Sequence, residues 1–103
     1  VDNDTKKGLE AQHGDLIYAK LSGKEFAFKC PNQTDYEEFQ AQMQKDRSKG
    51  VLWSRQLCLK ALVEPGPDVL EQAFNRYPAA PPAIALELEK LAGSEVEIIA
   101  KKG

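Results

Sequence analysis

With 103 residues, of which 42% are hydrophobic and 29% charged, the chain is sized for one domain around one modest core, and disorder of the whole chain is excluded. A net charge of −2 leaves no electrostatic case for nucleic acid, which demands a basic face. No apolar run reaches the length of a membrane span.

Residues 1–14 carry charge and glycine, and Leu9 is the sole large apolar residue after Val1. They read as a flexible N-terminal arm in which at most a short helical turn docks. A single domain is expected over residues 15–100, with 101–103 as a tail. Its first element is a β-hairpin, with Leu16–Leu21 and Glu25–Cys30 as arms and Ser22-Gly23 as turn chemistry. A two-residue loop sets Leu21 opposite Lys24, Lys20 opposite Glu25, Ala19 opposite Phe26 and Ile17 opposite Phe28. That register gathers Ile17, Ala19, Phe26 and Phe28 on one face and Lys20, Glu25 and Lys29 on the other. A lone hairpin is marginal in water, so helices must cover the apolar face.

Pro31 ends the second arm. Thr34 with Glu37 matches a capping box, and Tyr36, Phe39 and Met43 then recur at helical spacing. Ser48 is the expected cap of a second helix running to about Val63. Its apolar residues Val51, Leu52, Trp53, Leu57, Cys58, Leu59, Ala61 and Leu62 cover most of its circumference, as in a helix central to its domain. Pro65-Gly66-Pro67 stops it. Asp68–Tyr77 forms a third helix. A fourth runs from about Pro82 to Ala92 with Ile84, Ala85, Leu88 and Leu91 on its buried stripe, and Gly93 ends it. Val96 and Ile98 alternate in a possible short C-terminal strand. The expected fold class is therefore α+β: an N-terminal β-hairpin packed against about four α-helices. Its expected core is Ile17, Phe26, Phe28, Phe39, Leu57, Cys58, Leu62, Phe74, Leu88 and Leu91.

No constellation of residues supports an enzyme. His13 is the single histidine and lies next to Gly14 in the arm, without the partners that a triad or a histidine metal site requires. Cys58 sits inside a helix with no activating base. There is no Cys-x-x-Cys pair, phosphate loop or paired-glycine fingerprint. Glu87, Glu89, Glu95 and Glu97 read as solvated faces of a helix and a strand. Neither a metal nor a cofactor is expected. Cys30 and Cys58 are expected to be reduced, buried thiols of a cytosolic protein, since the start Val1-Asp2-Asn3-Asp4 shows no signal-peptide pattern. Asn32-Gln33-Thr34 matches the glycosylation acceptor pattern, but Thr34 is better used as a cap. Trp53 falls beside the polar strip of the second helix, and Leu86 falls between Glu89 and Lys90, opposite the stripe of the fourth. Both are candidate partner-binding anchors, with coverage of Trp53 by the domain itself as the alternative.

Three stretches together resemble the small tail assembly chaperones of tailed bacteriophages and prophages. They are Glu25-Phe26-Ala27-Phe28 with Pro31 and the helix bearing Tyr36 and Phe39, then Leu62-Val63-Glu64-Pro65, then Tyr77-Pro78 with Ile84 through Gly93. The resemblance covers roughly residues 15–93 and rests on packing and stop signals. It implies a non-enzymatic chaperone in the host bacterial cytoplasm that binds a helical tape-measure protein during tail morphogenesis and helps recruit the tail-tube protein. It supplies no binding residues to carry over, and the frameshifted extension common in that family is not visible here. A structural tail or head-completion protein is the alternative.

Overall fold

The computed structural model describes residues 3–94. Strands β1 (Leu16–Leu21) and β2 (Lys24–Lys29) pair antiparallel in the register that the turn dictates, with Ile17 opposite Phe28, Ala19 opposite Phe26 and Lys20 opposite Glu25. Ser22 (φ 53°) and Gly23 (φ 76°) make the reversal. Two successive left-handed residues give a turn whose twist matches that of the flanking strands. Glycine adopts that conformation freely, whereas Ser22 is held there in part by a 2.8 Å hydrogen bond between its hydroxyl and that of Tyr77.

The sheet has a third strand that the sequence did not suggest. β3 (Leu62–Glu64) pairs antiparallel with β2, setting Leu62 opposite Phe28 and Glu64 opposite Ala27 across an irregularity in register. The helix expected to reach Val63 therefore stops at Ala61. Val63 is β-branched, and Glu64 precedes Pro65, whose ring disfavours helical backbone at the residue before it. β2 thus becomes the central strand, and Phe26, Ala27 and Phe28 are each 0% exposed.

A helix also replaces the expected loose arm. α1 (Asn3–His13) lies on the outer face of the hairpin. Lys6 Nζ is 3.2 Å from a Glu25 carboxylate oxygen and 4.6 Å from the centroid of the Tyr18 ring, and the Tyr18 hydroxyl donates to Glu10 at 3.2 Å. Tyr18 and Glu25 alternate with the core-facing residues, so the sheet is sandwiched between α1 and the remaining helices.

α2 (Gln33–Lys45) is capped two residues earlier than expected, by Asn32 and not Thr34: Asn32 Oδ1 accepts from the Asp35 amide at 2.8 Å. Asp46 and not Ser48 organises the next junction. Its carboxylate accepts from both the amide and the hydroxyl of Ser48, which fixes a short 3-10 turn over Arg47–Lys49 ahead of α3 (Gly50–Ala61). The Ser48 hydroxyl holds the Asp46 carboxyl below its usual range. α4 (Pro67–Arg76) and α5 (Ala80–Glu89) carry proline in their first turns, where its missing N–H costs nothing. α5 passes into a π-type turn over Lys90–Ser94, where Gly93 takes φ 109° and ends the helix as expected.

The core joins Phe26 and Phe28 of the sheet to Phe39, Leu57, Cys58, Leu70, Phe74, Ile84, Ala85 and Leu88 of the helices. Ile17, Leu62 and Leu91, expected inside, are half-buried. Ile17 and Leu62 lie on the strands that flank β2, where one edge has no neighbouring strand. Cys30 is exposed, against expectation, because it follows the last residue of β2. No helix of the described residues is long and apolar enough to cross a membrane. The possible strand around Val96 and Ile98 lies outside the described residues.

Candidate protein-binding surfaces

Trp53 and Leu86 have different environments. Trp53 is half-buried, packs against the core and donates its indole N–H to the Asp46 carbonyl at 2.8 Å. Its ring therefore clamps the 3-10 turn to α3, and its polar tip is satisfied within the domain. Leu86 is 53% exposed. It continues an outward strip begun by Pro82 and Ala83, both exposed, while Ile84, Ala85 and Leu88 fill the core from the other side of α5. α5 is thus apolar on two opposed faces. A helix covering a small core ordinarily turns a polar face to solvent.

Val51 (45% exposed) and Leu52 (40%) are further uncovered apolar residues, in the first turn of α3. Sequence patterning assigned them to a helix enclosed nearly all round. The enclosure begins only at Trp53 and Ser54, and the preceding Gly50 was the available sign that the helix starts here.

Two adjoining clefts run between the hairpin tip and α4. One, about 500 Å³, is lined by Lys24, Glu25, Glu64, Pro65 and Val69. The other, about 280 Å³, shares Lys24 and Val69 and adds Leu21, Ala73 and Arg76. A third cleft, about 300 Å³, lies between α2 and the end of α5, with Phe39 and Met43 as its apolar wall and Arg47 and Glu89 as its charged groups. Partial burial raises the Glu89 carboxyl above its usual range. Glu87 is exposed and 3.3 Å from Lys90 Nζ, so these two members of the acidic group meet different surroundings; Glu95 and Glu97 lie outside the described residues.

His13 is exposed at the end of α1. Among the described residues no three His, Cys, Asp or Glu side chains are grouped to hold a metal ion. Both thiols are free. Cys58 Sγ donates weakly to the Pro81 carbonyl at 3.7 Å where the late part of α3 meets the start of α5, and burial pushes the thiol up to about 12.

Fold and surface define a small α+β domain in which a three-stranded antiparallel sheet carries one helix outside and four within. The chain belongs to the DUF6848 family, a domain of unknown function, whose model matches residues 19–101. No curated protein matches it. Its fold is similar to that of a solved structure, the uncharacterised protein rbstp2171 from Bacillus stearothermophilus. The TM-score is 0.71 at 20% identity, covering 93% of this chain and 99% of the other.

Proposed function

We propose that this protein is a non-enzymatic assembly chaperone of a tailed phage or prophage, acting in the host bacterial cytoplasm. Its client is a helical segment of a tape-measure-type protein, with the tail-tube protein as a further partner. The observation that carries the reading is the exposed outer strip of α5, where Pro82, Ala83 and Leu86 offer apolar surface beside a core that is already filled from the opposite face. An amphipathic client helix can lay its own apolar stripe along such a strip. The sequence resemblance to tail assembly chaperones adds the biological setting. Trp53, engaged by Asp46, serves the fold more than the client under this reading.

The test is co-expression with the tape-measure protein encoded nearby, followed by pull-down. The wild type should keep that client soluble, and Leu86→Asp should lose most of the complex with an unchanged melting temperature. Trp53→Ala should lower the melting temperature and spare the binding. A wild type that fails to hold the client, or that stays in purified virions, rejects the chaperone.

A further inference from the structure

The hairpin tip and α4 enclose a groove that the apolar strip of α5 does not use. Its floor is apolar: Leu21, Ala73, Val69 and Pro65 line the two adjoining clefts, which share Lys24 and Val69 and so form one channel. Its charges are unevenly placed: Lys24 lines both clefts, Arg76 one of them, and Glu25 and Glu64 the other. Lys24 and Arg76 line the half beside the end of α4, and no carboxylate lines that half among the described residues. Glu25 and Glu64 line the other half, where Lys6 stands 3.2 Å from Glu25. Neither Lys24 nor Arg76 forms an ion pair among the described residues, and Arg76 merely lies 5.8 Å from the centroid of the Tyr77 ring. The walls are fixed against each other, because the Ser22 and Tyr77 hydroxyls bond at 2.8 Å between the turn of the hairpin and the residue that ends α4.

The geometry points to this groove as a docking site for an amphipathic segment of another protein, one that sets apolar side chains on Val69 and Ala73 and carboxylates against Lys24 and Arg76. The occupant is a polypeptide because the channel is open along its length. A small molecule here would stay largely wet, whereas small-molecule sites enclose most of their ligand. Its carboxylates follow from charge complementarity with Lys24 and Arg76, which form no ion pair among the described residues and together line the cleft that holds no carboxylate. The site is independent of the chaperone reading, which rests on α5.

The probe is a short fluorescein-labelled helix of Leu, Ala and Glu, titrated with the purified full chain and followed by anisotropy. The control is the same peptide with every Glu replaced by Lys. The acidic peptide should bind, weaken as salt rises, and shift the backbone amide resonances of Lys24, Val69 and Arg76. The lysine peptide should bind at least about tenfold more weakly, and Lys24→Glu with Arg76→Glu should reverse the preference. Circular dichroism of that exposed-residue variant establishes that it folds, and Arg76→Gln alone serves if it does not, with a smaller loss of the acidic peptide expected. Equal binding of both peptides, no binding of either, or amide shifts confined to α5 overturns the site.

Discussion

Burial lifts the Cys58 thiol from an ordinary 9.0 to about 12, whereas Cys30 is exposed. The two thiols should therefore separate in chemistry. Alkylation of the native protein at neutral pH, without reductant, should add one label, at Cys30, and a second only in denaturant, as mass spectrometry reads directly. Near neutrality Cys58 is protonated whether folded or not, so it gives stability no pH dependence there. Above about 9 the unfolded chain releases this proton while the folded chain retains it. Stability should then fall as pH rises from about 9 through about 12, and Cys58→Ala should flatten that part of a urea-midpoint profile. Asn32 is a second residue with a defined task. Removing its cap with Asn32→Ala should cost about 1 kcal/mol, read as a lower urea midpoint at unchanged slope. Thr34→Ala should cost less, which separates the observed cap from the one that the sequence suggested. Both residues fit a capping rule, and the choice between them depends on where Pro31 releases the chain into the helix.

The hairpin was legible because two independent signals agreed: period-two alternation and a two-residue turn that only one register satisfies. β3 was not, because three residues are too few to show a period. Leu62–Glu64 is a strand by virtue of lying against β2, which is a tertiary fact. α1 escaped notice for a different reason. Its contacts with the hairpin include an ion pair, a cation over a ring and a tyrosine hydroxyl, and with Leu9 as its one large apolar residue it lacks the apolar stripe on which helix recognition rests. The reassignment of Leu62 changes its expected energetic weight. As a fully buried helical residue it would lose about 2–5 kcal/mol on truncation to Ala; half-buried on a short strand it should lose about 1–2 kcal/mol. Phe28, central and 0% exposed, should lose about 3–5 kcal/mol as Phe28→Ala. Urea denaturation of the two variants side by side measures the contrast.

At the scale of the molecule, α1 is an outer layer on a fold whose main core cluster lies on the other side of the sheet. The family match begins at residue 19, inside β1, and leaves α1 out. Deleting residues 1–14 should preserve one cooperative transition and lower the melting temperature by about 4–8 °C, the shift for roughly 1 kcal/mol in a domain this size. The candidate surfaces were legible in part. Leu86 could be placed outward from its position on the helical wheel. The channel beside α4 could not, since Lys24 and Arg76 meet only when the hairpin tip folds against the end of α4. Trp53 was ambiguous in sequence because its hydrogen-bond acceptor is a backbone carbonyl, which carries no residue signature.

The central position of β2 also governs the order of folding. β1 can zip onto β2 across a two-residue turn at little loop-closure entropy, but β3 reaches β2 only after α2 and α3, which lie between them in sequence, have folded back. The helices thus act as the gate on completion of the sheet. Ile17→Val should chiefly slow refolding, as at a site formed in the rate-limiting step, and Leu62→Ala should chiefly speed unfolding, as at one formed after it. Stopped-flow chevrons of the two variants would read this sequence of events directly, and a late β1 with an early β3 would invert it.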